Sequence, residues 1–418
     1  MMVADPRTTA TDERLDALTL PAGNGWLHAA RKDALGRLRA VGLPVRRDEY
    51  WRFTNPAPLV RVAPAPDAPT QTDDPFDGVD AYVITIDGDR LDLPDGAPDG
   101  LEITTLSKVA EADIHWVRDL YGKLEAAGSR PVSRPFAMLN TAFATGGLAI
   151  RVMAKVSRPI HIRTIGGTDP ILHHVVKVDA DAAVTILESG TAGARSNIVT
   201  EVDVADRAAF DHIRVQGPDH ARHVNTHLFA RLGTGSAFKS FTLSANGQFT
   251  RNEAVIELTG DDATAHVAGA AFGRDDLHHD DTVFVIHDAC DCESRQVFKK
   301  VLRDGATGVF QGKILVKEGA QKTDGYQISQ ALLLDDDSVF LAKPELEIYA
   351  DDVACSHGST TGAIDETALF YLRSRGVSKR VATDLLVLSF LTEAVDEIAD
   401  DGLRDHVGGL MADWLSRD

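Results

Sequence analysis

From Pro159 to Val215 the chain reads PIHIRTIGGTDPILHHVVKVDADAAVTILESGTAGARSNIVTEVDVADRAAFDHIRV. Five short runs stand out in it: PIHIRT, HHVVKV, AVTIL, NIVTEV and AFDHIRV, with Gly, Asp and Ser filling the gaps. Each run is too short for a helix and rich in β-branched residues, which suits a strand. The texture continues through NTHLFAR, AFKSFTL, EAVIELT, TVFVI and GVFQGKIL, so that residues 135–350 show almost no helical periodicity. The runs begin roughly every 12–14 residues, near the spacing of an all-β array. A sandwich of antiparallel sheets and a solenoid of stacked rungs both fit. Many short strands, weak self-similarity and the absence of sharp two-residue hairpin turns favour the solenoid, whose two ends carry unpaired backbone and must be covered or paired.

Helical texture flanks this region on both sides. NGWLHAARKDALGRLRAVGLP predicts a helix carrying Trp26, Ala30, Leu35, Leu38 and Val41, ended by Gly42 and Pro44. APAPDAPTQTDDPFDG is expected to be a linker or mobile loop, and SKVAEADIHWVRDLYGKLEAAGSR a helix capped at Ser107. Past Gly362, Asp365 and Ser378 are expected N-caps, and Gly376 ends the first of the helices. Val381, Leu385, Leu388, Leu391, Val395 and Ile398 form an apolar stripe too broad for three short helices to bury among themselves. The expected organisation is an N-terminal mixed region over 1–130, a β core over 131–355 and a C-terminal helical region over 356–418.

Composition removes several classes. Hydrophobic content of 44% with 25% charged residues is that of an ordinary globular chain, and 418 residues suit more than one structural unit. No run of eighteen apolar residues and no basic-then-apolar leader is present, so neither a membrane span nor a secretory signal is expected. A formal charge of −20 disfavours nucleic acid or an anionic membrane as partner. Three cysteines make no disulfide framework and fit a reducing, cytoplasmic setting. GATGVFQGKI imitates a phosphate loop, but three residues separate Gly308 from Gly312 and Ile314 stands where Ser or Thr would hold magnesium. No nucleotide is expected on this chain.

The chemistry-bearing stretch is LEIYADDVACSHGSTTG, Leu346 to Gly362. If the strand reading continues, Cys355 and His357 share a face with α-carbons roughly 6–7 Å apart. A buried core cysteine, a nucleophile with its base and a pair of soft metal ligands are the open readings. Upstream, His287, Cys290 and Cys292 form H-x-x-C-x-C, either a metal set or a strand end with an extra thiol. LHHDD, with His278, His279, Asp280 and Asp281, is expected to be a solvated turn.

LEIYADDVACSHGSTTGAIDETALFYLRSRGVS resembles the C-terminal signature of the SufB/SufD family of iron–sulfur cluster assembly proteins, and its CSHG form resembles the SufD branch. The stretch from Cys292 to Leu334 is similar to the family's core block, GLPVRRDEYWRFTN to the SufD N-terminal motif, and RPFAMLNTAFATGG to the start of the core. The resemblance implies a mainly β fold, a right-handed parallel β-helix flanked by helical segments. It implies a non-catalytic scaffold subunit that pairs with SufB, binds the ATPase SufC through C-terminal helices and contributes to a transient iron–sulfur cluster or iron at the subunit interface, with a part in iron acquisition. His357 maps onto the family's interface histidine, Cys355 onto the neighbouring cysteine, and Cys292 onto the core-block cysteine, with Arg295 following. Leu369, Leu372, Leu385 and Leu388 are the expected ATPase contacts, and a homodimer is conceivable for the chain alone. The competing readings are a β-helix carbohydrate-active enzyme, disfavoured by 6% aromatic content, and a purely structural solenoid.

Overall fold

The computed structural model describes residues 6–417, apart from 24, 64–72, 89, 95, 112–114, 191–192, 218–220 and 246. Most of the expected linker at 63–78 therefore lies outside the described residues. In chain order the helices are α1 (Pro6–Asp16), α2 (Gly25–Val41), α3 (Ala57–Val60), α4 (Leu106–Ala110), α5 (Lys123–Gly128), α6 (Pro135–Phe143), α7 (Glu366–Ser374), α8 (Lys379–Val395) and α9 (Asp401–Arg417). The strands are β1 (Tyr82–Asp87), β2 (Arg90–Asp92), β3 (Leu101–Thr105), β4 (Leu148–Val152), β5 (Ile160–Ile165), β6 (Ile171–Val178), β7 (Ala183–Gly190), β8 (Arg195–Val204), β9 (Ala209–Gln216) and β10 (His223–Leu232). They continue with β11 (Ala237–Ala245), β12 (Phe249–Leu258), β13 (Thr264–Gly273), β14 (His278–His287), β15 (Glu293–Leu302), β16 (Thr307–Val316), β17 (Thr323–Leu333), β18 (Val339–Ile348) and β19 (Val353–Gly362).

The chain alternates between two sheets. One runs β19-β17-β15-β13-β11-β9-β7-β5-β1-β2, the other β18-β16-β14-β12-β10-β8-β6-β4-β3. Pairing is parallel throughout except at β1–β2 and β3–β4. This is the expected parallel solenoid, two strands to a rung, flanked by N- and C-terminal helices. Side-chain hydrogen bonds between rungs join residues 26, 28 and 30 positions apart.

The turns explain the recurrent aspartates of the sequence. Asp181, Asp262, Asp275, Asp291 and Asp304 all sit at φ between 55° and 62°, the left-handed region that Asp tolerates better than most side chains. Along one corner the turns bond to each other: N–H groups of Asp181, Arg207, Gly235, Asp262, Asp291 and Lys322 donate to carbonyls of Asp206, Thr234, Asp261, Cys290, Gln321 and Asp352 in the next rung.

Both faces of both sheets are used. Ile84, Ile186 and Phe238 meet Ile150, Val202 and Ile256 between the sheets, all essentially unexposed. Each such side chain contributes roughly 1.5–3 kcal/mol of burial. The outer face of the ten-stranded sheet, with Ile213, Phe241 and Val297, is covered by Val387, Leu391 and Val395 of α8 and Met411 and Trp414 of α9. Residues of α2, α5 and α6 cover the nine-stranded sheet. The C-terminal stripe therefore docks largely on this chain's own sheet.

The caps of the last helices are as expected. Asp365 accepts from the N–H of Thr367 and Ala368, Ser378 from that of Val381, and Gly376 adopts φ +89°. The single helix expected from Ser107 is instead α4, a 3-10 turn (Trp116–Asp119) and α5, with Thr105 as the cap through the Lys108 N–H. Docking accompanies the break: Leu106, Val117 and Tyr121 pack together against Ala149 and Val175, whereas Leu124 joins a second cluster with Val199 and Phe229. The expected boundary at 355/356 falls inside β19.

Candidate functional site at the open end of the solenoid

Strands β18 and β19 form the last rung, each bonded to a neighbour on one side only among the described residues. Val339, Ile348 and Tyr349 are exposed there. β19 pairs with β17 in register, so Cys355 stands beside Gly325 and His357 beside Gln327. Alternation puts Cys355 and His357 on one face. That face is the inner one, because Val353 and Cys355 pack against Ile314, Val316 and Ala350. Cys355 is half-buried and His357 exposed.

Glycine makes room for the thiol. A Cβ on Gly325 would stand 3.1 Å from Cys355 Sγ, a contact tighter than side chains ordinarily make. Burial pushes the Cys355 thiol up from its ordinary value, opposed by a hydrogen bond from the Gly325 backbone and reinforced by the Asp324 carboxylate. The thiol is therefore protonated, and it would ligate a metal only as the thiolate, its proton released to solvent. Among the described residues, no group of three or more His, Cys, Asp or Glu side chains is arranged to hold a metal ion. Cys355 and His357 stand together as a pair, without a third such side chain grouped with them among the described residues.

The upstream cysteines do not converge on one point. Cys292 lies in the core between the sheets, its thiol donating to the carbonyls of Gly260 and Cys290, and burial raises its pKa. Cys290 turns outward and donates to Gly319 O at 3.2 Å. His287 is fully buried, bonds Ser294 Oγ at 2.8 Å through Nε2, and is held neutral by burial, its pKa pushed down to about 4.

LHHDD is not a solvated turn: it opens β14 and is largely buried. On its outer side Asp280 meets Thr54 and Arg251, and the Arg251 guanidinium lies 4.0 Å over the Trp51 ring. On its inner side Lys300 Nζ donates to Asp281 at 2.6 Å and to His279 Nδ1 at 2.6 Å. Burial pushes His279 down to about 4, which leaves it neutral and able to accept that bond. The N-terminal motif is explained with it: Trp51 and Thr54 close over this buried ion network, and Tyr50 reaches Glu345 on β18. The two motifs are 224 and more residues apart, so no local pattern announced their pairing.

Arg295 faces outward, donating to Glu397 at 2.7 Å and lying 4.9 Å over Tyr326. His266 Nδ1 lies 2.9 Å from the same carboxyl. Lys299 joins Glu393 and Gln330 under the Phe390 ring. These groups fasten the end of α8 to the sheet. Of the four leucines expected at a partner surface, Leu369 is buried, Leu372 half-buried and Leu388 packed toward the sheet-covering cluster, whereas Leu385 is 48% exposed. Phe370, Tyr371 and Val381 of the same helical region are also exposed, at 73%, 54% and 42%.

Comparison with known proteins gives one consistent answer. The family model described as SUF system FeS cluster assembly, SufBD core domain, matches residues 164–390. The iron-sulfur cluster assembly protein SufD of Escherichia coli (strain K12) is 27% identical over 401 residues, covering 89% of each chain. The SufBD family protein slr0076 of Synechocystis is 28% identical over 400 residues, covering 88% of this chain and 85% of its own. Protein ABCI7, chloroplastic, of Arabidopsis thaliana is 25% identical over 441 residues, covering 98% and 91%.

Proposed function

Since this chain belongs to the SufB/SufD family of iron–sulfur cluster assembly proteins, on its SufD branch, we propose that it is a non-catalytic scaffold subunit that lends Cys355 and His357 to a cluster growing at a shared seam. The observation that carries the reading is the position of this donor pair on the last, singly bonded strand of the solenoid. A metal cargo needs more ligands than two, and a second solenoid abutting this end would bring them. The bare β18–β19 rung offers backbone groups and the apolar Val339, Ile348 and Tyr349 to a SufB-type partner. A chain expressed alone could use the same end to pair with its own copy.

The exposed apolar side chains Phe370, Tyr371, Val381 and Leu385 of the C-terminal helices suit a SufC-type ATPase, which would supply the nucleotide hydrolysis that this chain has no phosphate loop to perform. The thiol's raised pKa fits a transient role: the cluster is held while Cys355 is deprotonated on metal and let go when the seam opens. Uptake of iron at the same pair is part of the proposal.

The test is co-purification of this chain with its paralogue and ATPase, followed by anaerobic iron and sulfide analysis. His357→Ala is expected to leave the complex intact and lower its cluster content by about tenfold or more. Undiminished cluster in that variant removes His357 from the reading.

A further inference from the structure

Directly beneath His357, on the inner face of β17, stands Gln327, and beneath that, on β15, Gln296. Both glutamines are fully buried, with 0% exposure. Gln327 reaches across the interior to Gly312 on the other sheet. A Cβ at Gly312 would lie 2.6 Å from its Cδ and Nε2, so only glycine leaves the amide room. Nε2 is the amide atom set toward the Gly312 carbonyl, at 3.5 Å. Oε1 lies equally close to Gly312, 2.7 Å from where its Cβ would stand, and meets no donor among the described residues. A buried carbonyl oxygen with nothing to accept calls for a partner.

We propose that Gln327 is the positioning residue of His357: its Oε1 accepts the proton of one imidazole nitrogen and so presents the other, with its lone pair, out of the solenoid end. The structure holds the two residues in register on one face without that bond, and the bond requires the exposed imidazole to turn onto the amide. A ring nitrogen held by a carbonyl oxygen fixes the tautomer, and the opposite nitrogen becomes the ligand. The competing donor is the amide of Gln296, neither of whose polar atoms has a partner among the described residues. The role in positioning rests on the proposed function; the contact itself does not.

The full chain, labelled with [15N]histidine and free of metal, decides it by long-range 1H–15N correlation, with the His357 signals assigned by their absence from His357→Gln. One tautomer is expected to dominate by about tenfold, with a slowly exchanging ring N–H. Gln327→Met, and equally the shorter Gln327→Asn, should return the ring to a mixture. A mixed tautomer or fast exchange in the unaltered chain overturns the proposal whether or not either variant folds. An unchanged pattern in a folded variant overturns it too and points to the Gln296–Gln327 pair. The complex carrying Gln327→Met should lose cluster content several-fold. A locked tautomer with undiminished cluster in that complex defeats the positioning role and leaves His357 as ligand. Full maturation in His357→Ala defeats the proposed function instead, with the tautomer result standing.

Discussion

The two ends of the solenoid are built differently. At the first end the sheets finish in β2 and β3, three and five residues long and antiparallel to the strands they cover. Short strands of reversed direction spoil the template for another parallel strand. At the last end β18 and β19 are ten residues each, parallel and in full register, with their outer edges unbonded among the described residues. One end is blunted and the other leaves its strand edges bare. Cys355 and His357 stand at the second.

Core substitutions should separate the ends most strongly. Ile84, unexposed between the sheets on β1, should cost about 2–5 kcal/mol when changed to Ala, measured by urea unfolding. The half-buried Leu346 on β18 should cost about 1 kcal/mol in the isolated chain and more once a partner covers it. Equal costs in the isolated chain would mean that the last rung is already sealed.

Charging the bare edge comes next. Val339→Lys with Ile348→Lys should weaken association with the paralogue by about 100-fold, close to 2.7 kcal/mol, as read by calorimetry. The urea midpoint of the chain alone should hardly move, because both residues are exposed. A large loss of intrinsic stability would turn the edge into ordinary core.

Acid should act on the body that the two ends share. His287 titrates near 4 in the fold and near 6.5 when unfolded, because burial disfavours its charge. Its neutral form is the native one, so its contribution is complete above pH 6.5 and is lost as pH falls from about 6.5 to about 4. His287→Gln should flatten the fall in stability over that window by up to about 3 kcal/mol, seen in urea midpoints at successive pH values. An unaltered slope would assign the acid sensitivity to His174 and His279, which burial also depresses to about 4.

Much of this architecture was legible in the chain. The runs from PIHIRT to GVFQGKIL became strands because β-branched residues buried on two faces leave a near-continuous apolar signal. The caps at Asp365 and Ser378 were legible because a cap is a local hydrogen bond. LHHDD was misread for the opposite reason. Its partners Thr54, Arg251 and Lys300 arrive from other rungs and from the N-terminal segment, so the residues that make it buried are invisible in its own neighbourhood. Leu369 was taken for surface because periodicity marks an apolar face without saying what lies against it. On that helix Phe370 and Tyr371 carry the exposure. The pairing of Cys355 with His357 on one face was legible from strand alternation, whereas Gln327 beneath them needed the register of a strand thirty positions earlier.

The corner column of bonds between successive turns, from Asp181 to Asp352, has a mechanical consequence. Rungs stitched at their bends as well as along their strands resist sliding and splaying, so the stack moves as a stiff lever. A torque applied to the helices fastened on its flank would reach the tip as a swing of the whole body, with little dissipated in bending on the way.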